Sequence, residues 1–215
     1  MPWNPEVYYQ LPKQKERKEI TMPQKGLIER LNEGPILCAE GYLFAMERRG
    51  YLQAGAFVPE VVLEHPEVVS QLHREFIRAG TDVVQAFTYY AHREKMKLIG
   101  KEELIEPLQK NALKIAKDSR DEFKDLDLLV CGDVANTNIY DPNDKKTNIE
   151  CQKMYEEQVQ WAKEAGVDFI VAETITWLEE MKIALKVIKD AGLIAVCNFS
   201  LKSKDKTRDG HTPGD

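Results

Sequence analysis

The sequence predicts an α/β fold assembled from parallel β/α repeats, and three observations carry that prediction. Short runs that are apolar almost throughout recur along the chain, such as DFIVAETIT (168–176) and LIAVCNFSL (193–201); strands covered on both faces read this way. Between these runs lie segments with apolar residues at i, i+3 and i+4, the spacing of an amphipathic helix. Several of the helical segments stop at an Ala-Gly pair, as at 79–80, 165–166 and 191–192, where glycine supplies the left-handed residue that ends a helix.

Taken in order, residues 1–25 hold Pro2, Pro5, Pro12, Pro23 and the charged run KQKERKE, and show neither a helical nor a strand period. They read as a flexible N-terminal arm. A first strand is expected at PILCAEG (35–41), then a helix at HPEVVSQLHREFIRAG (65–80), whose Val68, Val69, Leu72, Phe76 and Ile77 fall on one face. The second strand, DVVQAFTYY (82–90), is rich in β-branched and aromatic residues and is followed by a helix from about 101 to 123. LDLLVCGDVANT (126–137) gives the third strand and NIECQKMYEEQVQWAKEAG (148–166) its helix. DFIVAETIT is the fourth strand, WLEEMKIALKVIKDAG (177–192) the next helix, and LIAVCNFSL the fifth strand. Five strands can complete an open doubly wound sheet but not an eight-stranded barrel, so this pattern alone leaves both architectures open.

Composition bounds the function. The chain has 215 residues, 43% hydrophobic and 31% charged, enough for one substantial core. Its formal charge of −6, with no clustered basic surplus beyond the arm, argues against nucleic acid as a partner. No apolar run approaches the roughly 20 residues that cross a bilayer, and the N-terminus lacks the basic-then-apolar order of a signal peptide. A cytoplasmic protein without a membrane partner is expected. Cys38, Cys131, Cys151 and Cys197 are scattered with no C-x-x-C pair, which gives neither a zinc knuckle nor a redox motif. Cys38, Cys131 and Cys197 lie in apolar runs and read as small hydrophobes. No G-x-G-x-x-G or G-x-x-x-x-G-K follows a strand, which weakens a nucleotide-binding reading.

In both architectures ligands gather at the carboxyl ends of the strands. Glu173 closes the fourth apolar run there, and Glu40, Asp133 and Asn198 hold similar late positions on the first, third and fifth. One late carboxylate can equally be a helix cap or a solvated loop residue; the repetition points to a polar rim. The second strand brings Phe87, Tyr89 and Tyr90 to that rim. Strict alternation would send Tyr89 and Tyr90 to opposite faces, one into the site and one beneath a helix. Aromatic faces attract onium cations; plain core packing is the alternative.

The blocks GLIERLNEGPILCAEGYLFAMERRGY, HPEVVSQLHREFIRAGTDVVQAFTYYA, AGVDFIVAETI and DGHTPGD run in one order from about Lys25 to the end. Together they resemble the homocysteine S-methyltransferases, and among them the betaine–homocysteine methyltransferase branch. The resemblance implies a (β/α)8 TIM-barrel fold, with residues 26–215 as the N-terminal part of a homocysteine-binding barrel holding about the first five β/α units. It implies transfer of a methyl group from an onium donor such as betaine to the homocysteine thiol, giving methionine. On this resemblance Glu40 and Gly41 match the family's acidic-glycine turn and Glu173 its substrate-binding glutamate, facing the ammonium of homocysteine. Tyr90 matches a tyrosine that shapes the methyl-donor pocket, and Phe57 stands where the branch has tryptophan. Glu40 replaces the family's usual aspartate, and the turn after it is one residue shorter.

The family holds zinc with three cysteines, in an N-C-H-type block and a C-C pair; neither block occurs here. Zinc is therefore expected for the family with its ligands absent from this chain, and these residues alone are not expected to catalyse the reaction. An incomplete barrel exposes strand edges, so a protein partner or oligomer that covers them is a further expectation. The rival reading is a non-catalytic half-barrel that acts as an interaction or structural protein.

Overall fold

A computed structural model describes residues 24–52, 58–202 and 205–215. Phe57 and nearly all of the N-terminal arm lie outside the described residues. The elements, in chain order, are α1 (Leu27–Glu33), α2 (Tyr42–Arg48), α3 (Val61–Glu64), α4 (Pro66–Arg78), β1 (Val83–Gln85) and α5 (Arg93–Ile99). A 3-10 turn (Glu102–Leu104) leads into α6 (Ile105–Asp121), followed by β2 (Leu129–Ala135), α7 (Lys145–Ala165), β3 (Phe169–Ile175), α8 (Leu178–Asp190) and β4 (Ile194–Phe199).

Among the described residues four strands form one parallel sheet in the order β1-β2-β3-β4. A doubly wound sheet reverses its strand order at a switch point, whereas a barrel wall steps in one direction throughout. This sheet steps in one direction, as a segment of a barrel wall does.

Among the described residues four strands stand where five were expected. The first apolar run contributes a single bridge, Cys38 to Val83, because a side chain takes over the hydrogen bonding beside it. Asp82 Oδ2 accepts from the Leu37 N–H at 2.8 Å, while the N–H groups of Asp82 and Val83 both donate to the Leu37 carbonyl. The second run is also shorter than expected. After Gln85 the chain turns, with Thr88 N donating to the Ala86 carbonyl and Ala91 N to that of Thr88.

Period-two alternation divides the strands between two environments. Val84, Val130, Ile170 and Ala172 pack against helix residues such as Leu113, Tyr155 and Ile188. Val83, Leu129, Cys131, Phe169 and Val171 face the other way and are covered by Leu27 of α1. Two residues further along that same inner face come Gln85, Asp133 and Glu173. The inner face is thus apolar at its base and polar at the carboxyl ends of the strands, so an interior strand can end on a charge without breaking the core.

On the helix side, Gly132 is required by a close approach: a Cβ there would lie 3.0 Å from the Ala162 Cβ of α7. The loop after β2 is held by a buried carboxylate. Glu180 of α8 accepts from the Thr137 N–H at 2.8 Å, the Thr137 hydroxyl at 2.7 Å and the Tyr155 hydroxyl at 3.2 Å, all on Oε1. The DGHTPGD segment reaches the start of α8, where Asp209 accepts from the Leu178 N–H at 3.0 Å and satisfies an otherwise orphaned helix donor.

At β4 the inner face opens: Ile194 and Val196 are 37% and 36% exposed, while Ala195 and Phe199 pack against the helix-side core. Cys197, expected to pack as a small hydrophobe, is exposed on this last strand of the described sheet. Cys131 is buried, as that reading requires, and Cys38 is half-buried. No helix among the described residues is long and apolar enough to cross a membrane.

Candidate functional site

A cavity of about 450 Å³ lies at the carboxyl ends of β1, β2 and β3. Glu40, Gly41, Tyr90 and Glu173 all line it, together with Asp133. Asn198 does not; it sits exposed on β4.

Local backbone conformation explains how the Glu40-Gly41 pair reaches the cavity. Gly41 adopts φ 86°, ψ 19° immediately before α2, a left-handed conformation that glycine enters without steric cost. The turn places α2 against the site, so Tyr42, Leu43 and Phe44 form part of the wall. Tyr42 is anchored beneath it. Its hydroxyl meets His73 Nδ1 at 3.0 Å, and its ring stacks on Phe87 with centroids 5.7 Å apart. Burial, followed by the charge of Arg74, lowers the His73 pKa to about 3, so His73 serves here as a neutral structural partner.

Tyr89 and Tyr90 both line the cavity, which corrects the expectation that alternation would separate them. The strand ends at Gln85, and Tyr90 takes a left-handed backbone conformation with φ 60°. Side-chain alternation belongs to extended strand, and neither residue lies in one. The two rings lie 4.1 Å apart between centroids, and Lys95 Nζ sits 4.0 Å from the centroid of Tyr90. Tyr90 therefore already engages one cation within the chain.

Glu173 is aimed by Gln85, whose Nε2 donates to Oε1 at 3.2 Å. The Gln85 amide is oriented in turn by the Cys38 thiol, 3.6 Å from its Oε1. Burial and then the charge of Glu40 raise the Glu173 pKa, against the effect of the hydrogen bond from Gln85. Asp133 is 3% exposed, and neither of its carboxyl oxygens has a hydrogen-bond partner. Burial first, then Glu173, holds its pKa well above the ordinary aspartate value. No Lys, Arg or His lines the cavity among the described residues. The site is a partly apolar hollow with three acidic groups and no internal counter-charge, an arrangement suited to a small organic cation.

Gln85, Thr174 and the α2 wall were missed by the sequence reading. For Gln85 a signal was present: counting by two from Val83 puts it on the inner face, in line with Asp133 and Glu173. Among the described residues no group of three or more His, Cys, Asp and Glu side chains could hold a metal ion. The described residues do not fit a zinc centre.

The family model for homocysteine S-methyltransferase matches residues 41–215. This chain belongs to the homocysteine S-methyltransferase family. Its relatives include betaine–homocysteine S-methyltransferases. Betaine–homocysteine S-methyltransferase 1 of Sus scrofa is 40% identical over 196 residues, covering 89% of this chain and 68% of its own length. The enzyme of that name from Mus musculus is 40% identical over 174 residues, and that of Xenopus tropicalis 35% over 200. The chain spans 42% of the length of the Mus musculus relative and 48% of the Xenopus tropicalis one. Among solved structures, the metallated form of the homocysteine methyltransferase MmuM from Escherichia coli superposes with a TM-score of 0.72 at 21% identity, covering 86% of this chain and 69% of that one. At that identity the likeness concerns the fold alone. Glu40 lies one residue ahead of the matched segment, and Gly41 is its first residue.

Proposed function

We propose that this member of the homocysteine S-methyltransferase family binds homocysteine in the cavity at the carboxyl ends of β1 to β3. The reaction assigned is transfer of a methyl group from an onium donor such as betaine to the homocysteine thiol, giving methionine. The ammonium of homocysteine faces Glu173 and Glu40, where a charge-assisted hydrogen bond offsets the desolvation of both partners. Tyr90 walls the methyl-donor side. One observation carries this reading: Glu40 and Glu173 share a single cavity whose described lining contains no cationic side chain.

Zinc enters this proposal only through the family, since the described residues offer no ligand group. The chain's own residues bind and orient the amino acid. The test is isothermal titration with L-homocysteine. Glu173→Gln, which keeps the shape and removes the charge, is expected to weaken binding about 100-fold, on the order of 3 kcal/mol for a lost charge partner. Equal affinity of the two proteins would remove the role given to Glu173.

The exposed inner-face residues Ile194 and Val196 favour a second reading, a non-catalytic half-barrel that serves as an interaction protein. That reading predicts no homocysteine binding and self-association of the purified chain on size exclusion. A monomer that binds homocysteine excludes it.

A further inference from the structure

Asp133 occupies the cavity face of β2, beside β3 and its Glu173. It is almost wholly buried, and no donor reaches either of its oxygens. Its neighbour on the adjacent strand, in the same cavity, is Glu173, another acceptor. Two ionised carboxylates side by side in one cavity repel each other and leave Asp133 without a donor, the more so with Glu40 in the same hollow. A single proton removes both difficulties. Carried on Asp133, it gives Glu173 a second donor beside Gln85 and leaves the pair with one negative charge.

Two features place that proton on Asp133 rather than on its neighbour. Asp133 is the more deeply buried of the two, and Glu173 already accepts from Gln85 Nε2, which favours the ionised form there. The titratable groups that face Asp133 are Glu173 from β3, Glu40 from the turn before α2, and the Cys38 thiol. Cys131 lies two residues back on its own strand. Burial first, then Glu173, Glu40 and Cys38, disfavour a second negative charge and raise the Asp133 pKa.

We propose that Asp133 is a positioning residue: as a carboxylic acid it donates its proton to Glu173 and aims that carboxylate into the cavity, so the pair offers one negative charge to an organic ammonium. This rests on the reading of Glu173 as the ammonium acceptor. An amide at position 133 preserves the donor, and an apolar side chain removes it.

Infrared difference spectroscopy of the 215-residue chain at neutral pH tests the proton directly. The wild type is expected to show a protonated-carboxyl stretch that disappears in Asp133→Asn. Absence of that band, or its persistence in Asp133→Asn, overturns the proposal. Titration with L-homocysteine tests the positioning role. Asp133→Asn is expected to bind within about 3-fold of wild type, while Asp133→Leu binds more than about 10-fold more weakly, as for loss of a hydrogen bond to a charged group. Equal weakening in both variants overturns it. If the wild type binds no homocysteine, the ligand assignment fails, and the infrared band alone decides where the proton sits.

Discussion

Gln85 on β1 donates through Nε2 to Glu173 on β3, 3.2 Å away across the intervening strand β2. Strands two apart lie roughly 10 Å from each other, so these long side chains lean towards one another over Asp133. The carboxylate is held by a donor from a different part of the chain. Gln85→Leu removes that donor at nearly constant volume. Homocysteine affinity should fall about 10-fold, near 1.5 kcal/mol for a hydrogen bond to a charged group. Unchanged affinity in a calorimetric titration would mean that Glu173 keeps its aim without Gln85.

Asp133 gives the fold a distinctive dependence on pH. In the unfolded chain it ionises near pH 4, whereas in the folded chain burial and then Glu173 hold its pKa well above that value. Between the two values the folded state binds more protons than the unfolded one, so this group's contribution to stability declines as pH rises. Asp133→Asn lacks that proton linkage. Thermal melts from pH 5 to pH 8 should show Asp133→Asn gaining on the wild type as pH increases. A constant difference between the two would contradict the raised value.

Gly132 tests the packing of α7 on β2. A Cβ at this position meets the Ala162 Cβ at 3.0 Å, tighter than ordinary contact, and both atoms belong to rigid elements. Gly132→Ala should lower stability by about 1–3 kcal/mol, the usual range for overpacking a core. Urea denaturation gives the answer, and a variant as stable as the wild type would mean that α7 shifts freely.

Glu180 should matter more to stability than its place in a helix implies. Removing it leaves the Thr137 N–H, the Thr137 hydroxyl and the Tyr155 hydroxyl without their buried acceptor. Glu180→Ala is expected to cost about 3 kcal/mol or more, since each unsatisfied buried donor carries roughly 1–3 kcal/mol. A loss below 1 kcal/mol in urea denaturation would show that the loop after β2 finds other partners.

The sequence made some of this legible and hid the rest for physical reasons. β2, β3 and β4 lie inside the runs expected for them, because buried parallel strands are apolar without interruption. The run at 35–41 has the same composition yet forms one bridge, since Asp82 bonds the Leu37 backbone from 45 residues away. Glu40, Asp133 and Glu173 were readable as late polar residues on strands. The missing donor at Asp133 was not, because it depends on which groups fold around it. Tyr89 and Tyr90 misled for a related reason: alternation holds only while the strand continues, and a turn after Gln85 brings both rings to the site. Glu180 looks like an ordinary acidic residue in a helix's first turn, and its burial follows from Thr137 and Tyr155.

The central claim is that the acidic rim recognises an ammonium group. Comparing the affinity of this chain for L-homocysteine with that for 4-mercaptobutyrate, the same thiol acid without its amine, tests it most directly. The account predicts that homocysteine binds at least about 100-fold more tightly, the difference expected when a buried carboxylate loses its cationic partner. Equal binding of the two thiols would contradict it.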